Sequence, residues 1–172
     1  MRADGLRAAN SSRKRILSSQ PILDTGRQRL SPANHWDWHI PTPFSQGWRI
    51  GPMVFVGGQL SADKHGNVVG EGDIELQTQN VFDNITRVLA SAGATWKDVV
   101  KLNTYYVFDG QGEEIQEFWE KMTRVRLRYI SDPGPAATAV RVAGLMYEGF
   151  LIEAEVVAVI GGQSAAAAFL GQ

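Results

Sequence analysis

From Ile152 to Ile160 the even-numbered residues Ile152, Ala154, Val156, Ala158 and Ile160 are all apolar. The odd-numbered set opens with Glu153 and Glu155 and turns to Val157 and Val159. Side chains leave a strand on alternate sides, so this alternation predicts a strand with two unlike faces. Upstream, Val140 and Val142 flank Arg141, and Tyr147 to Gly149 read as the polar turn between two runs. The runs are expected to pair as an antiparallel hairpin with apolar faces aligned, because a one-residue slip would turn the apolar set outward. That register puts Arg141, Glu153 and Glu155 on one face, with Arg141 and Glu155 pairing across the hairpin. The charged face still carries Val157 and Val159, which suits a subunit interface or a pocket wall better than open solvent.

Two helices are predicted further upstream. Asp73 is placed as the cap of a helix reaching about Ala92, where Ile74, Val81, Phe82, Ile85, Val88, Leu89 and Ala92 follow a three-four spacing. Ser91-Ala92-Gly93 supplies its stop, and Thr95 with Asp98 reads as a capping pair for a short turn. The second helix is expected from Glu113 to about Tyr129, with Ile115, Phe118, Trp119, Met122 and Val125 as its core stripe. Its glutamates suit the N-terminal end of the helix dipole. Trp48–Ile50 and Met53–Val56 read as short strands about a Gly51-Pro52 turn, and Val99–Phe108 as a β-branched, aromatic strand. Two single-striped helices cover one side of a sheet of about six strands and leave the other to a partner.

Composition narrows the picture. With 172 residues and 44% hydrophobic content, the chain can bury one sizeable core. It has no cysteine, so thiol chemistry, disulfides and cysteine-zinc sites are excluded. The net charge of −1 conceals an uneven distribution: residues 1–34 carry seven basic residues against Asp4 and Asp24. The remainder is correspondingly acidic, which argues against a groove that tracks nucleic-acid phosphates. The expected organisation is a flexible basic extension over 1–34, one domain over 35–162, and a tail over 163–172 holding the alanine run Ala165–Ala168. A cytoplasmic protein without membrane contact is expected. The Arg- and Ser-rich start also fits a mitochondrial transit peptide, a start codon upstream of the true one, or a loose tail.

Two stretches offer local chemistry. His35, Asp37 and His39 alternate and would share one side of an extended segment, as metal ligands can. Pro41 and Pro43 follow at once and no ligand framework surrounds them. The preferred reading is a Trp-rich segment pinning a loop, with histidines as hydrogen-bond partners and no metal or other cofactor. Gly57-Gly58-Gln59 lacks the lysine and spacing of a phosphate loop, and reads instead as a close approach of backbone.

The segments PFSQG (43–47), VFVGGQL (54–60), the block from Ile74 to Phe108 and PGPAATAVRVA (133–143) with IEAEVVAVI (152–160) together resemble the reactive intermediate deaminase family, Rid or YjgF-like. The resemblance implies an α+β, chorismate-mutase-like fold: a mixed sheet of about six strands with two helices on one face. It also implies a homotrimer whose pockets, in clefts between subunits, hydrolyse small imines and enamines. The family's catalytic glutamate corresponds to Glu153, and substrate-binding positions to Phe44, Gly57, Ala137 and Thr138. Three of these depart from the family pattern. Ala137 stands where many relatives carry a carboxylate-anchoring arginine, Phe44 where tyrosine is frequent, and Gly57 where serine is common. Arg141 and Arg49 are the candidates to supply the missing charge. The implied activity is hydrolytic deamination; a trimer that binds a small ligand without turning it over is the alternative.

Overall fold

Asp73 does begin a helix: its Oδ1 accepts from the backbone N–H groups of Glu75 and Leu76, both at 3.0 Å. These are donors that a first turn leaves without partners. In the computed structural model, which describes residues 26–161, this helix (α1) spans Ile74–Ser91. Gly93, at φ 75°, closes it in the left-handed conformation that glycine adopts without penalty. Its whole predicted stripe is buried. Thr95 N and Oγ1 donate to Asp98 Oδ2 at 2.8 and 2.9 Å, making the expected capping pair around a short 3₁₀ turn.

Six strands form one mixed sheet: β1 (Arg27–Leu30), β2 (Gly47–Ile50), β3 (Met53–Leu60), β4 (Val99–Tyr106), β5 (Ala136–Arg141) and β6 (Ile152–Val159). Their spatial order is β1-β2-β3-β6-β4-β5. The second helix, α2 (Glu113–Arg126), packs against α1. The predicted six-stranded sheet with two helices on one face is therefore what the chain forms. The main core lies between them, built on Val54, Val56, Phe82, Ile85, Leu102 and Val156. Gln77, fully buried, pins the entry to β6: its amide donates to Gly149 O at 2.7 Å and its oxygen accepts from Leu151 N at 2.8 Å.

The predicted hairpin does not form. β5 pairs in parallel with β4, and β6 lies antiparallel between β3 and β4. The alternation correctly assigns the faces of β6, whose even residues are buried and whose odd ones are half-buried. It does not name the neighbours. An edge position suits β5, all six of whose residues are exposed, whereas β6 has enough apolar surface for a centre. The Arg141–Glu155 pair falls with the hairpin. Arg141 Nη1 donates to Gly110 O at 3.1 Å, and Glu155 Oε1 accepts from Asn103 Nδ2 at 2.8 Å.

Three further expectations change. Arg27–Leu30, read as part of a flexible extension, is the outer strand of the sheet, with Leu30 only 1% exposed in the core. The rest of that extension, residues 1–25, and the tail over 163–172 lie outside the described residues. The second helix stops at Arg126 and continues as turns, short of Tyr129, whose hydroxyl donates to Asp83 Oδ1 at 2.7 Å. Trp119 is not core: it is 37% exposed, while Phe118, Met122 and Val125 of the same stripe are buried. The stripe is wider than the sheet beneath it.

Urea denaturation at fixed protein concentration tests this core. Phe82→Ala and Leu30→Ala are expected to cost about 3 kcal/mol each, and Trp119→Ala about 1 kcal/mol because its ring is already partly wet. A Leu30 variant as stable as the parent would detach β1 from the body.

Candidate functional site

The sheet face away from the helices is built from the odd residues of β6 and their neighbours. Along this face the ladders run Trp48–Phe55–Val157, Thr138–Asn103–Glu155 and Val140–Tyr105–Glu153. Much of it is apolar and open, with Met53 39%, Phe55 38% and Val140 43% exposed. A depression of about 390 Å³ lies on it, lined by Ser45, Trp48, Phe55, Gly57, Lys101 and Glu155 among others.

A break in register creates the site. Val56 pairs with Val156 but Gln59 with Ala154, so β3 carries one extra residue at Gly57-Gly58. Space is tight at both glycines. A Cβ on Gly57 would sit 3.2 Å from Ser45 O and 3.5 Å from the Phe44 ring, and one on Gly58 would fall 1.8 Å from Glu153 Oε1. Glu153 therefore lies across Gly58, and Phe44 lies over Gly57. The predicted close approach of backbone is observed.

The bulge is held from behind by a buried amide network that the sequence reading missed. Gln59 Nε2 donates to Gln46 Oε1 at 2.9 Å and to Gly57 O at 3.1 Å, while Gln46 Nε2 donates to Trp36 O at 2.6 Å. Gln59 Oε1 accepts from Trp36 Nε1 at 3.0 Å and from His35 Nε2 at 2.7 Å. Because Gln59 offers its oxygen, His35 carries its proton on Nε2. Burial holds the imidazole below its usual pKa, partly offset by the bond to Gln59. Arg29 Nη2 donates to Phe44 O, fastening the same segment to β1. Trp36 and Trp38 pack on Phe44 at ring separations of 5.5 and 5.9 Å. The Trp-rich segment pins a loop, as read. Asp37 Oδ1 accepts from Trp38 N at 2.8 Å, and His39 lies 6.1 Å from the Tyr147 ring. Among the described residues, no three His, Cys, Asp or Glu side chains cluster as metal ligands. Nothing local in the sequence distinguishes a buried glutamine from an exposed one, which is why Gln46 and Gln59 escaped notice.

The two glutamates differ. Glu155 is held by Asn103 and lies 3.4 Å from the Tyr105 hydroxyl, whose ionisation its charge pushes up. Glu153 has no hydrogen-bond partner among the described residues. Burial, and then the charge of Glu155, raise its pKa above the ordinary carboxylate value. It is the carboxylate free to accept or deliver a proton.

Of the other singled-out positions, Phe44 and Gly57 meet each other one residue before the Gly58 that Glu153 crosses, and Thr138 lies across β4 on the same sheet face as Glu155, accepting from Lys101 Nζ at 3.2 Å. Ala137 does not join them: its ladder partner is the buried Leu102, so it belongs to the helix side of the sheet. Both candidate arginines are engaged elsewhere, away from the Glu153 face. Arg49 donates to Gly51 O and Ala92 O at 3.0 and 2.9 Å, and Arg141 to Gly110 O. Among the described residues, no helix is long and apolar enough to cross a membrane.

The raised pKa of Glu153 fixes the sign of a pH effect. Folding favours its neutral form, so its stabilising contribution is present in full below the unfolded value of about 4.5 and is lost as pH rises through the higher folded value. Glu153→Gln cannot ionise. In urea titrations at constant protein concentration, it should match the parent at acid pH and exceed it in stability at neutral pH. A glutamine variant that is less stable at neutral pH would contradict this environment for the carboxylate.

The family described as Endoribonuclease L-PSP matches residues 39–160. A RutC family protein of Pyrococcus abyssi is 36% identical over 116 residues, covering 67% of this chain and 85% of its own. The RutC family protein YjgH of Escherichia coli is 29% identical over 132 residues, covering 77% and 94%. Among solved structures, RidA from an Antarctic Psychrobacter superimposes with a TM-score of 0.66 at 26% identity, over 77% of this chain and 99% of that one. With the register, the bulge and the two-helix, six-strand architecture in place, these matches establish that the chain belongs to the Rid (YjgF-like) family.

Proposed function

We propose that this protein hydrolyses a small reactive imine or enamine, as a homotrimer whose cleft joins the Glu153 face of one copy to the β5 edge of the next. The observation that carries the reading is Glu153 itself: half-buried, raised in pKa, without a hydrogen-bond partner among the described residues, and lying across Gly58 at the β3 bulge. A carboxyl group with a raised pKa can work as both acid and base near neutrality. The Glu153 carboxylate takes a proton from water as the water oxygen adds to the C=N carbon. The resulting carboxyl gives that proton to nitrogen. The Glu153 carboxylate then takes the hydroxyl proton of the carbinolamine and delivers it to nitrogen as the C=O bond forms and the C–N bond breaks, so that R₂C=NH and H₂O become R₂C=O and NH₃.

Glu153 and Ala137 lie on opposite faces of one sheet, so one chain alone cannot bring them to a common substrate. Membership in a generally oligomeric, small-ligand-binding family supports a second copy as the missing wall. Apolar side chains left open on the Glu153 face support it as well. The alternative, a trimer that binds a small ligand without turnover, draws on Ala137, which supplies no anchor.

Imines generated in situ by a flavin amine oxidase or amino-acid oxidase separate the two. The hydrolytic reading expects ammonia to be released faster than in buffer, and Glu153→Gln to lower that acceleration by about 10²-fold or more. No acceleration for any imine, together with ligand-induced thermal stabilisation, would leave the binding reading instead.

A further inference from the structure

His35 is a titratable group that the proposed chemistry leaves unused, and it sits at the root of the network behind the bulge. An indole nitrogen can only donate, so Trp36 Nε1 at 3.0 Å obliges Gln59 to present its oxygen. His35 Nε2 approaches the same oxygen at 2.7 Å and must donate as well. With its oxygen filled in this way, Gln59 turns its amide nitrogen to Gln46 Oε1 and Gly57 O. Gln46 accepts from Gly57 N at 2.9 Å through its backbone oxygen, and its side chain donates to Trp36 O at 2.6 Å. Two residues before Gln46, the Phe44 ring lies against Gly57. One proton on one imidazole nitrogen thus orients a chain of bonds that ends at Gly57, in the wall of the depression.

The other ring nitrogen decides what acid does. Nδ1 is buried and has no hydrogen-bond partner among the described residues. In the neutral ring it carries a lone pair; a second proton would make it the N–H of a buried cation without an acceptor, a far costlier arrangement. Among the described groups that act on the ring, none is an anion: Gln59 on β3 and Gln46 before β2 are neutral, and Arg87 on α1 adds a like charge. On its own segment, Asp37 is turned to Trp38 N, and from β1 the nearby cation Arg29 is bound to Phe44 O. Water can relieve the cation when the segment carrying His35 and Trp36 lifts from the bulge, and the Phe44 ring goes with it.

We propose that His35 is a positioning residue: its neutral imidazole, protonated on Nε2, seats Phe44 against Gly57, and a second proton on the ring releases that wall in acid. As a device for the proposed site the inference rests on the reading above, but the seating itself is read without substrate. Burial, the main influence on the ring, lowers its folded pKa. The stabilising contribution of the seated ring is therefore complete above the unfolded value of 6.5 and declines as pH falls through the lower folded one.

Nuclear magnetic resonance of the full-length protein, titrated from neutral to mildly acid pH, follows His35 Cε1–H, the Trp36 indole N–H and the Gly57 backbone N–H. Far-ultraviolet circular dichroism reports global folding alongside. The three signals should move together at one midpoint below 6.5 while the dichroism stays constant. His35→Gln, whose amide can donate to Gln59 but cannot take a second proton, should hold the Trp36 and Gly57 signals at their neutral-pH positions throughout. In an imine-hydrolysis assay, each protein is normalised to its own neutral-pH kcat/KM. One pH unit below the midpoint, the parent should then stand about tenfold below His35→Gln. Titration of Glu153 affects both proteins and cancels in that ratio. Trp36 and Gly57 signals that ignore the titration of His35 would overturn the inference, as would an imidazole that stays neutral until the fold itself is lost. Both of these are read on the parent alone, whatever the variant does. A transition that survives in His35→Gln would overturn it too. A shared transition with no imine hydrolysis at any pH would uphold the seating and remove the hydrolytic reading.

Discussion

Strand β6 is hydrogen-bonded along both edges, to β3 on one side and β4 on the other. Its two faces meet different surroundings: Ile152, Ala154, Val156 and Ala158 are sealed under the helices, while Glu153, Glu155, Val157 and Val159 look out from the opposite side. A strand in this position cannot slip by one residue, because a slip would put two carboxylates into the core and four apolar side chains outside it. The register of the central sheet follows from that prohibition. So does the placement of the glutamates, on a face where the aliphatic and aromatic neighbours of the same ladders lower the local polarity.

The bulge in β3 turns this fixed register into a site. Were β3 regular, the residue beside Glu153 would carry a Cβ into the space that its carboxylate uses; Gly58 leaves that space empty. The bulge is held by Gln59, whose side chain satisfies Gly57 O while linking His35, Trp36 and Gln46. Every donor and the acceptor of that amide are used, so the network fixes one orientation. The aromatic segment from Trp36 to Phe44 is the outer layer of the same device and covers the bulge.

What could be read from the sequence was whatever a short window contains. Helix α1 announces itself through Asp73, its three-four stripe and Gly93, all within about twenty residues. The faces of β6 follow from alternation alone. Its neighbours do not, since β3 lies nearly a hundred positions upstream and competes with β5 for the same edge. Strand β1 offers one apolar residue among Arg27, Gln28, Arg29 and Leu30, too little pattern to distinguish a strand from an extension. Trp119 follows the helical period faithfully, yet period fixes only an angle about the helix axis; where the sheet ends beneath it is a tertiary fact. The positions Phe44, Gly57, Ala137, Thr138 and Glu153 came from resemblance. Their division between two faces of the sheet became visible only with the ladder pairings.

That division makes assembly the central proposal: the sheet face away from the helices holds Met53, Phe55, Val140, Val157 and Glu153, and the proposed cleft requires a second copy of the chain to cover it. Sedimentation equilibrium of the purified protein at micromolar concentration tests it most directly. The account predicts a particle of about three times the 18.9 kDa chain mass. A stable particle of single-chain mass, with that face open to water, would contradict it.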